Sequence, residues 1–117
     1  MTSPPLSGDE LLRVLAALAN PHRLRIVAAL AGAPDYVSRL ARELGLSRAL
    51  LQLHLKKLEA AGLVAGRLEL SDDGKAMKFY EVTPFAIALT PELVAEATAS
   101  LTTPGSTGAV DEGQEAL

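Results

Sequence analysis

The chain has 117 residues, a net charge of −3, and almost half its residues are hydrophobic with only 3% aromatic. That length suits one domain with an aliphatic core. The absence of cysteine removes disulfides, thiolate metal sites and thiol nucleophiles. No apolar run approaches the roughly 20 residues of a membrane span. The start, MTSPPLSGDE, has neither the basic nor the apolar region of a secretory leader. A soluble, cytoplasmic protein without a membrane contact is therefore expected.

Residues 1–7 read as a flexible arm. Ser7 and Glu10 have the spacing of a capping box, and Leu11, Leu12, Leu15, Leu18 and Ala19 follow at helical intervals. A first helix is predicted at about 8–19. Asn20-Pro21, a cap followed by proline in the first turn, opens a second helix to about 31. Gly32-Ala33-Pro34 breaks it. Asp35 is the predicted cap of a third helix carrying Val37, Leu40 and Leu44, and Gly45 ends it. Ser47 caps a fourth helix that runs to about Ala61.

After Gly62 the period changes. GRLELSDDGKAMKFYEVTP reads as two short strands around Asp72-Asp73-Gly74. Val64, Leu68 and Leu70 on one strand, and Met77, Phe79, Tyr80 and Val82 on the other, supply the apolar contacts. Thr90-Pro91 starts a fifth helix over about 91–101. Residues 102–117 turn to Thr, Gly, Ser and acid and read as a disordered acidic tail. The expected fold is mainly α with a small β-wing, in the order α, α, α, α, β, β, α, with residues 8–101 as the single folded domain.

The third and fourth helices carry the functional signal. A helix-turn-helix needs a small residue where the helices cross, glycine in the turn and a branched apolar residue to lock the pair. Ala41, Gly45 and Leu51 supply these at the required spacing. From Tyr36 to Ala60 there are five basic and two acidic side chains, so the middle of the chain is locally positive although the whole is acidic. With a strand ribbon directly after, this pattern points to a winged helix whose fourth helix enters a DNA major groove.

At about 100° per residue, Leu51, Leu55 and Leu58 share the core stripe of that helix. Ala49, Gln52, Leu53 and Lys56 fall on the opposite side, with Ser47 and Arg48 at its start. Arg48 suits guanine and Gln52 adenine, while Lys56 and Lys57 suit phosphates. His54 lies about 60° from the core stripe, as a phosphate donor or a partly buried histidine. It has no ligand partners at helical spacing, so no metal site is expected there. On the ribbon, Lys75 and Lys78 are the cations best placed for DNA, and Arg67 flanks the same hairpin. The expected interface is thus Ser47, Arg48, Ala49, Gln52, Leu53, His54, Lys56, Lys57, Lys75 and Lys78. No phosphate loop, nucleophile–base set or catalytic carboxylate pair is present, so no enzyme is expected.

Three stretches resemble the ArsR family of bacterial winged-helix repressors. They are LAALANPHRLRIVAAL at Leu15–Leu30, ARELGLSRALLQLHLKKLEAAGLV at Ala41–Val64, and KFYEVTP at Lys78–Pro84. The resemblance covers about residues 9–101. It implies a homodimer joined through its first and last helices, a palindromic double-stranded DNA operator, and control of transcription. Repression is the family's default, and sequence does not separate it from activation. On that pattern Leu11, Leu12, Leu15, Leu93, Val94, Ala97 and Leu101 lie at or near the dimer interface, the competing reading being intramolecular core.

The chain departs from the metal-sensing members. They carry a cysteine motif at the start of the third helix, where this chain has Ala33-Pro34-Asp35-Tyr36-Val37. The last helix offers Glu92 and Glu96 but no histidine. With neither standard sensing site present, either the effector is not a metal, or a non-standard site holds one, or there is no small-molecule effector; no cofactor is expected. The family's reading helix is also usually more polar than this one at Leu50 and Leu53. Those two leucines suggest contacts with thymine methyls, or a rival role as an interaction module for a second regulatory protein.

Overall fold

The computed structural model describes residues 6–102. Eight elements follow in order: α1 (Gly8–Leu18), α2 (Pro21–Gly32), β1 (Asp35–Tyr36), α3 (Val37–Leu44), α4 (Arg48–Ala60), β2 (Val64–Leu70), β3 (Ala76–Val82) and α5 (Pro91–Thr98). The acidic tail expected at 102–117 lies, beyond Thr102, outside the described residues, as do the first five residues of the arm.

The helix starts follow the local chemistry. Ser7 and Glu10 form the reciprocal box, each backbone N–H donating to the other's side chain at 2.9 and 3.1 Å. Asn20 Oδ1 accepts from the N–H groups of His22 and Arg23, Ser47 Oγ from Leu50, and Thr90 Oγ1 from Leu93. Each bond satisfies an amide with no partner inside its helix. Gly45 closes α3 at φ 70°, in the left-handed region that favours glycine.

Two compact units make up the chain. The larger, Arg13–Ala86, holds α2 to β3. Its core is aliphatic: Ile26, Leu30, Val37, Leu40, Leu51, Leu55 and Leu58 are all buried to below 2% or near it. Ala41 is buried, and Leu51 has no exposed surface, as a helix-turn-helix crossing requires. The smaller unit joins the described residues up to Leu12 with those from Ile87 onward. There the Gly8 amide donates to Ser100 Oγ at 2.8 Å, and Asp9 accepts from the Thr102 amide at 3.1 Å.

The sheet differs from the expected two-stranded ribbon. It has three antiparallel strands in the order β1-β3-β2. Asp35 pairs with Tyr80 and Tyr36 with Phe79, while β2 runs against β3 from Val64↔Val82 to Leu70↔Ala76. Asp35 is therefore not the cap of α3. It belongs to a strand, Tyr36 occupies the cap position with no side-chain hydrogen bond to the helix, and Asp35 instead meets Arg39 at 3.5 Å. A two-residue strand has no alternation to read, and only the neighbouring β3 backbone makes it one. The last helix also ends earlier than expected. After Thr98 the amides of Ala99, Ser100 and Leu101 bond to carbonyls three residues back, a tighter turn than the α-helix.

Candidate nucleic-acid interface

Helix α4 has two unlike sides. Leu51, Leu55 and Leu58 have no exposed surface and fix the helix against the core. Arg48, Ala49, Gln52, Leu53, Lys56 and Lys57 are all exposed. The first turn is set by Ser47, whose hydroxyl is taken up by the Leu50 amide at 3.1 Å, so Ser47 acts on the site through the helix start. Arg48 follows it directly in the first turn, exposed to solvent. Glu59 is the one acidic side chain of α4. Its carboxylate accepts a hydrogen bond from the Tyr80 hydroxyl at 3.4 Å, towards the C-terminal end of the helix. The exposed side of the first two turns is therefore cationic or neutral throughout.

His54 is corrected. It is only 7% exposed and stands inside the protein, not on the outer side of α4. Of the two positions open to it, it takes the buried one, because α2 lies beside it. The Arg23 guanidinium approaches His54 Nδ1 at 3.0 Å, and the His22 ring lies 5.5 Å away, centroid to centroid. Burial lowers the His54 pKa, and the charges of Arg23, His22 and Lys57 lower it further. With so little of its ring exposed and Nε2 buried, His54 is not placed to donate to a phosphate.

The wing sorts its cations. Arg67 bonds Glu69 at 3.0 Å and Glu81 at 3.2 Å, and its guanidinium carbon stands 4.6 Å from the Phe79 ring centre. It is committed to the sheet. Lys75 is exposed beside the turn, whose Gly74 has φ 86°. There Ser71 holds the Asp73 carboxylate, the bond that contributes most to lowering its pKa. Lys78 is half-buried, with its ammonium 5.7 Å from the Tyr80 ring centre. Sequence reasoning missed the Tyr36–Phe79 edge contact at 4.9 Å, which depends on the unforeseen strand β1.

The seven positions expected at a dimer interface divide by exposure. Leu11 and Ala97 are buried within the chain, at 5% and 4% exposure. Leu93 is half-buried. Leu12, Leu15, Val94 and Leu101 are exposed large apolar side chains, the kind that a partner surface would cover. Among the described residues no three His, Asp or Glu side chains gather to hold a metal ion, and no single helix is long and apolar enough to cross a membrane.

Two tightly crossed helices, the second presenting a cationic outer side, followed by a hairpin wing, define the winged helix-turn-helix class of DNA-binding proteins. A helix-turn-helix domain family model matches residues 18–67. The chain is 34% identical over 85 residues to an HTH-type transcriptional regulator of Methanocaldococcus jannaschii, covering 73% of this chain and 88% of that one. Among solved structures it is similar to the homodimeric winged helix-turn-helix DNA-binding domain of Mb0332 from Mycobacterium bovis, a possible ArsR-family regulator. That match has 30% identity and a TM-score of 0.59, over 78% of this chain and 73% of that chain. NolR from Sinorhizobium fredii aligns at 28% identity and a TM-score of 0.56, over 83% of this chain and 92% of that chain. The chain belongs to the ArsR family of winged helix-turn-helix transcriptional regulators. That family consists of DNA-binding transcriptional regulators.

Proposed function

We propose that the protein is a sequence-specific transcriptional regulator that binds a palindromic operator as a homodimer. Each protomer places the outer side of α4 in a major groove, with half-sites about one helical turn apart. The observation that carries this reading is the two-sidedness of α4: three leucines fully buried, and Arg48, Gln52, Lys56 and Lys57 all free to face DNA. Arg48 and Gln52 read bases, because their side chains offer the paired donors or the donor–acceptor set that guanine and adenine edges match. Lys56, Lys57 and Lys75 bind phosphates. The M. bovis relative is described as homodimeric. The exposed Leu12, Leu15, Val94 and Leu101 supply the apolar area for such an assembly here.

The test is binding to a duplex from the protein's own promoter across a salt series. Phosphate neutralisation makes affinity fall steeply with salt, with a slope of about −0.9 per phosphate on a log–log plot. Absence of binding even at low salt would sink the DNA reading. Arg48→Ala with Gln52→Ala removes operator preference and leaves the dimer intact. Unchanged specificity in that variant would move base reading to another element. A second reading, a module that docks another regulatory protein, is favoured by the exposure of Leu50 and Leu53, and it predicts no salt-dependent DNA binding at all.

A further inference from the structure

Leu50 and Leu53 stand 38% and 53% exposed on the helix proposed to enter the groove. They take no part in the core, which α4 reaches through Leu51, Leu55 and Leu58. At about 100° per residue, Leu50, Leu53 and Lys57 form one flank of the outer side, while Gln52 and Lys56 form the other. The helix therefore offers the groove two chemistries. One flank can donate and accept hydrogen bonds. The other is apolar for its first two turns and ends in an exposed cation.

Resting on the proposed DNA-binding function, we infer that Leu50 and Leu53 are specificity-determining residues that contact thymine 5-methyl groups in each half-site. An apolar side chain pressed on hydrogen-bonding base edges leaves them unpaired and loses affinity. The major-groove floor carries one apolar group, the thymine methyl, so a leucine flank selects the sequences that present it. Charge complementarity assigns the surface to DNA. Lys57 closes the leucine flank, Arg48, Lys56 and Lys57 are exposed around it, and the one carboxylate of α4, Glu59, sits in the last turn near Tyr80. A cationic border around an apolar strip matches a polyanion that also carries methyl groups.

The experiment uses the full-length chain. Duplexes are selected from a random library at low salt, and the winning site is remade with deoxyuridine in place of individual thymines, which deletes only the methyl. Selected sites are expected to fix thymine at the same offset in both half-sites. Exchange to deoxyuridine there is expected to weaken binding about fourfold per contacted methyl. Leu50→Ala with Leu53→Ala, at exposed helical positions where alanine is tolerated, is expected to bind thymine and deoxyuridine duplexes equally. Equal binding of thymine and deoxyuridine duplexes by the unaltered protein overturns the inference and leaves the DNA reading standing. So does full operator affinity and specificity in Leu50→Ala with Leu53→Ala, which gives that flank to a protein partner instead. Failure to enrich any duplex overturns the DNA reading itself, and the inference with it.

Discussion

Arg23 ties His54 to the end of the first helix. Its Nε donates to the Ala17 carbonyl at 2.6 Å, and a terminal nitrogen donates to His54 Nδ1 at 3.0 Å. A guanidinium can only donate, so Nδ1 must accept and the imidazole proton sits on Nε2. That Nε2 is buried and has no hydrogen-bond partner among the described residues. A second proton would place a cation against Arg23, His22 and Lys57 in a site with little water. Burial first, then those charges, hold the folded-state pKa below the ordinary imidazole value.

A pH dependence follows, with a definite sign. Above about pH 6.5 the imidazole is neutral in both folded and unfolded chains, and stability is complete. As pH falls below that value the unfolded chain takes up a proton that the folded chain resists. Stability is then lost progressively down to the depressed folded-state pKa. Thermal melts between pH 8 and 5 are expected to show the melting temperature of the native protein falling faster than that of His54→Gln. Parallel curves would show that this histidine does not couple to folding.

Arg23→Ala is expected to cost about 2 kcal/mol in a denaturant melt, since it removes two part-buried bonds and leaves the Ala17 carbonyl without that donor. The native operator preference of the folded fraction should survive, because Arg23 lies on α2 and not on the reading helix. A change in sequence preference would mean that Arg23 sets the orientation of α4.

This network shows where the sequence stops being informative. Ala41, Gly45 and Leu51 declare the helix-turn-helix because their roles follow from spacing along a short segment. The caps at Ser7, Asn20, Ser47 and Thr90 are equally local. His54 is not local. Its angle on the wheel places it at the margin of the core stripe, and only the passage of α2, with Arg23 at 31 residues' separation, decides which way it counts. Strand β1 fails for the same reason, since Asp35 and Tyr36 become a strand through β3, more than forty residues on. Arg67 and Lys75 look alike as cations of one hairpin until the cross-strand register sets Arg67 opposite Phe79, beside Glu69 and Glu81.

Gly66 has a packing role that its strand position conceals. A Cβ there would stand 2.6 Å from the ring of Tyr80, its cross-strand partner. Tyr80 is 4% exposed and cannot swing into solvent without emptying its place in the core. Gly66→Ala is expected to cost about 1–3 kcal/mol, the usual penalty of overpacking, read as a lower denaturant midpoint. Combining it with Tyr80→Leu should give less than the sum of the two single losses, because the clash is then gone. Additive losses would place the cause elsewhere.

At the other end of the chain, Gly8 allows α1 to approach α5. A Cβ would lie 2.2 Å from the Ala97 carbonyl oxygen and 2.7 Å from Leu101 Cγ. The first of these is backbone and cannot rotate aside. Gly8→Ala is expected to part the two segments and break the bond from the Gly8 amide to Ser100. If the two helices build the dimer, as proposed, sedimentation over a concentration series should show a dissociation constant raised at least about tenfold, near 1.4 kcal/mol. Arg48→Ala serves as the control that leaves association unchanged. A Gly8→Ala protein that dimerises normally would remove these helices from the interface.

The wing offers a charge experiment with opposite expectations for two neighbours. Lys75 is exposed beside the turn, and its ammonium is available to a phosphate. Arg67 is already shared between Glu69 and Glu81 and lies over Phe79. The slope of log affinity against log salt counts the phosphates that protein cations neutralise. Lys75→Ala is therefore expected to reduce its magnitude by about 1, as is Lys56→Ala on α4. Arg67→Ala should leave the slope unchanged and instead loosen the wing, lowering the melting temperature. A smaller slope for Arg67→Ala would mean that its ion pairs open on DNA. An unchanged slope for Lys75→Ala would lift the wing tip off the phosphate backbone and confine the contacts to α4.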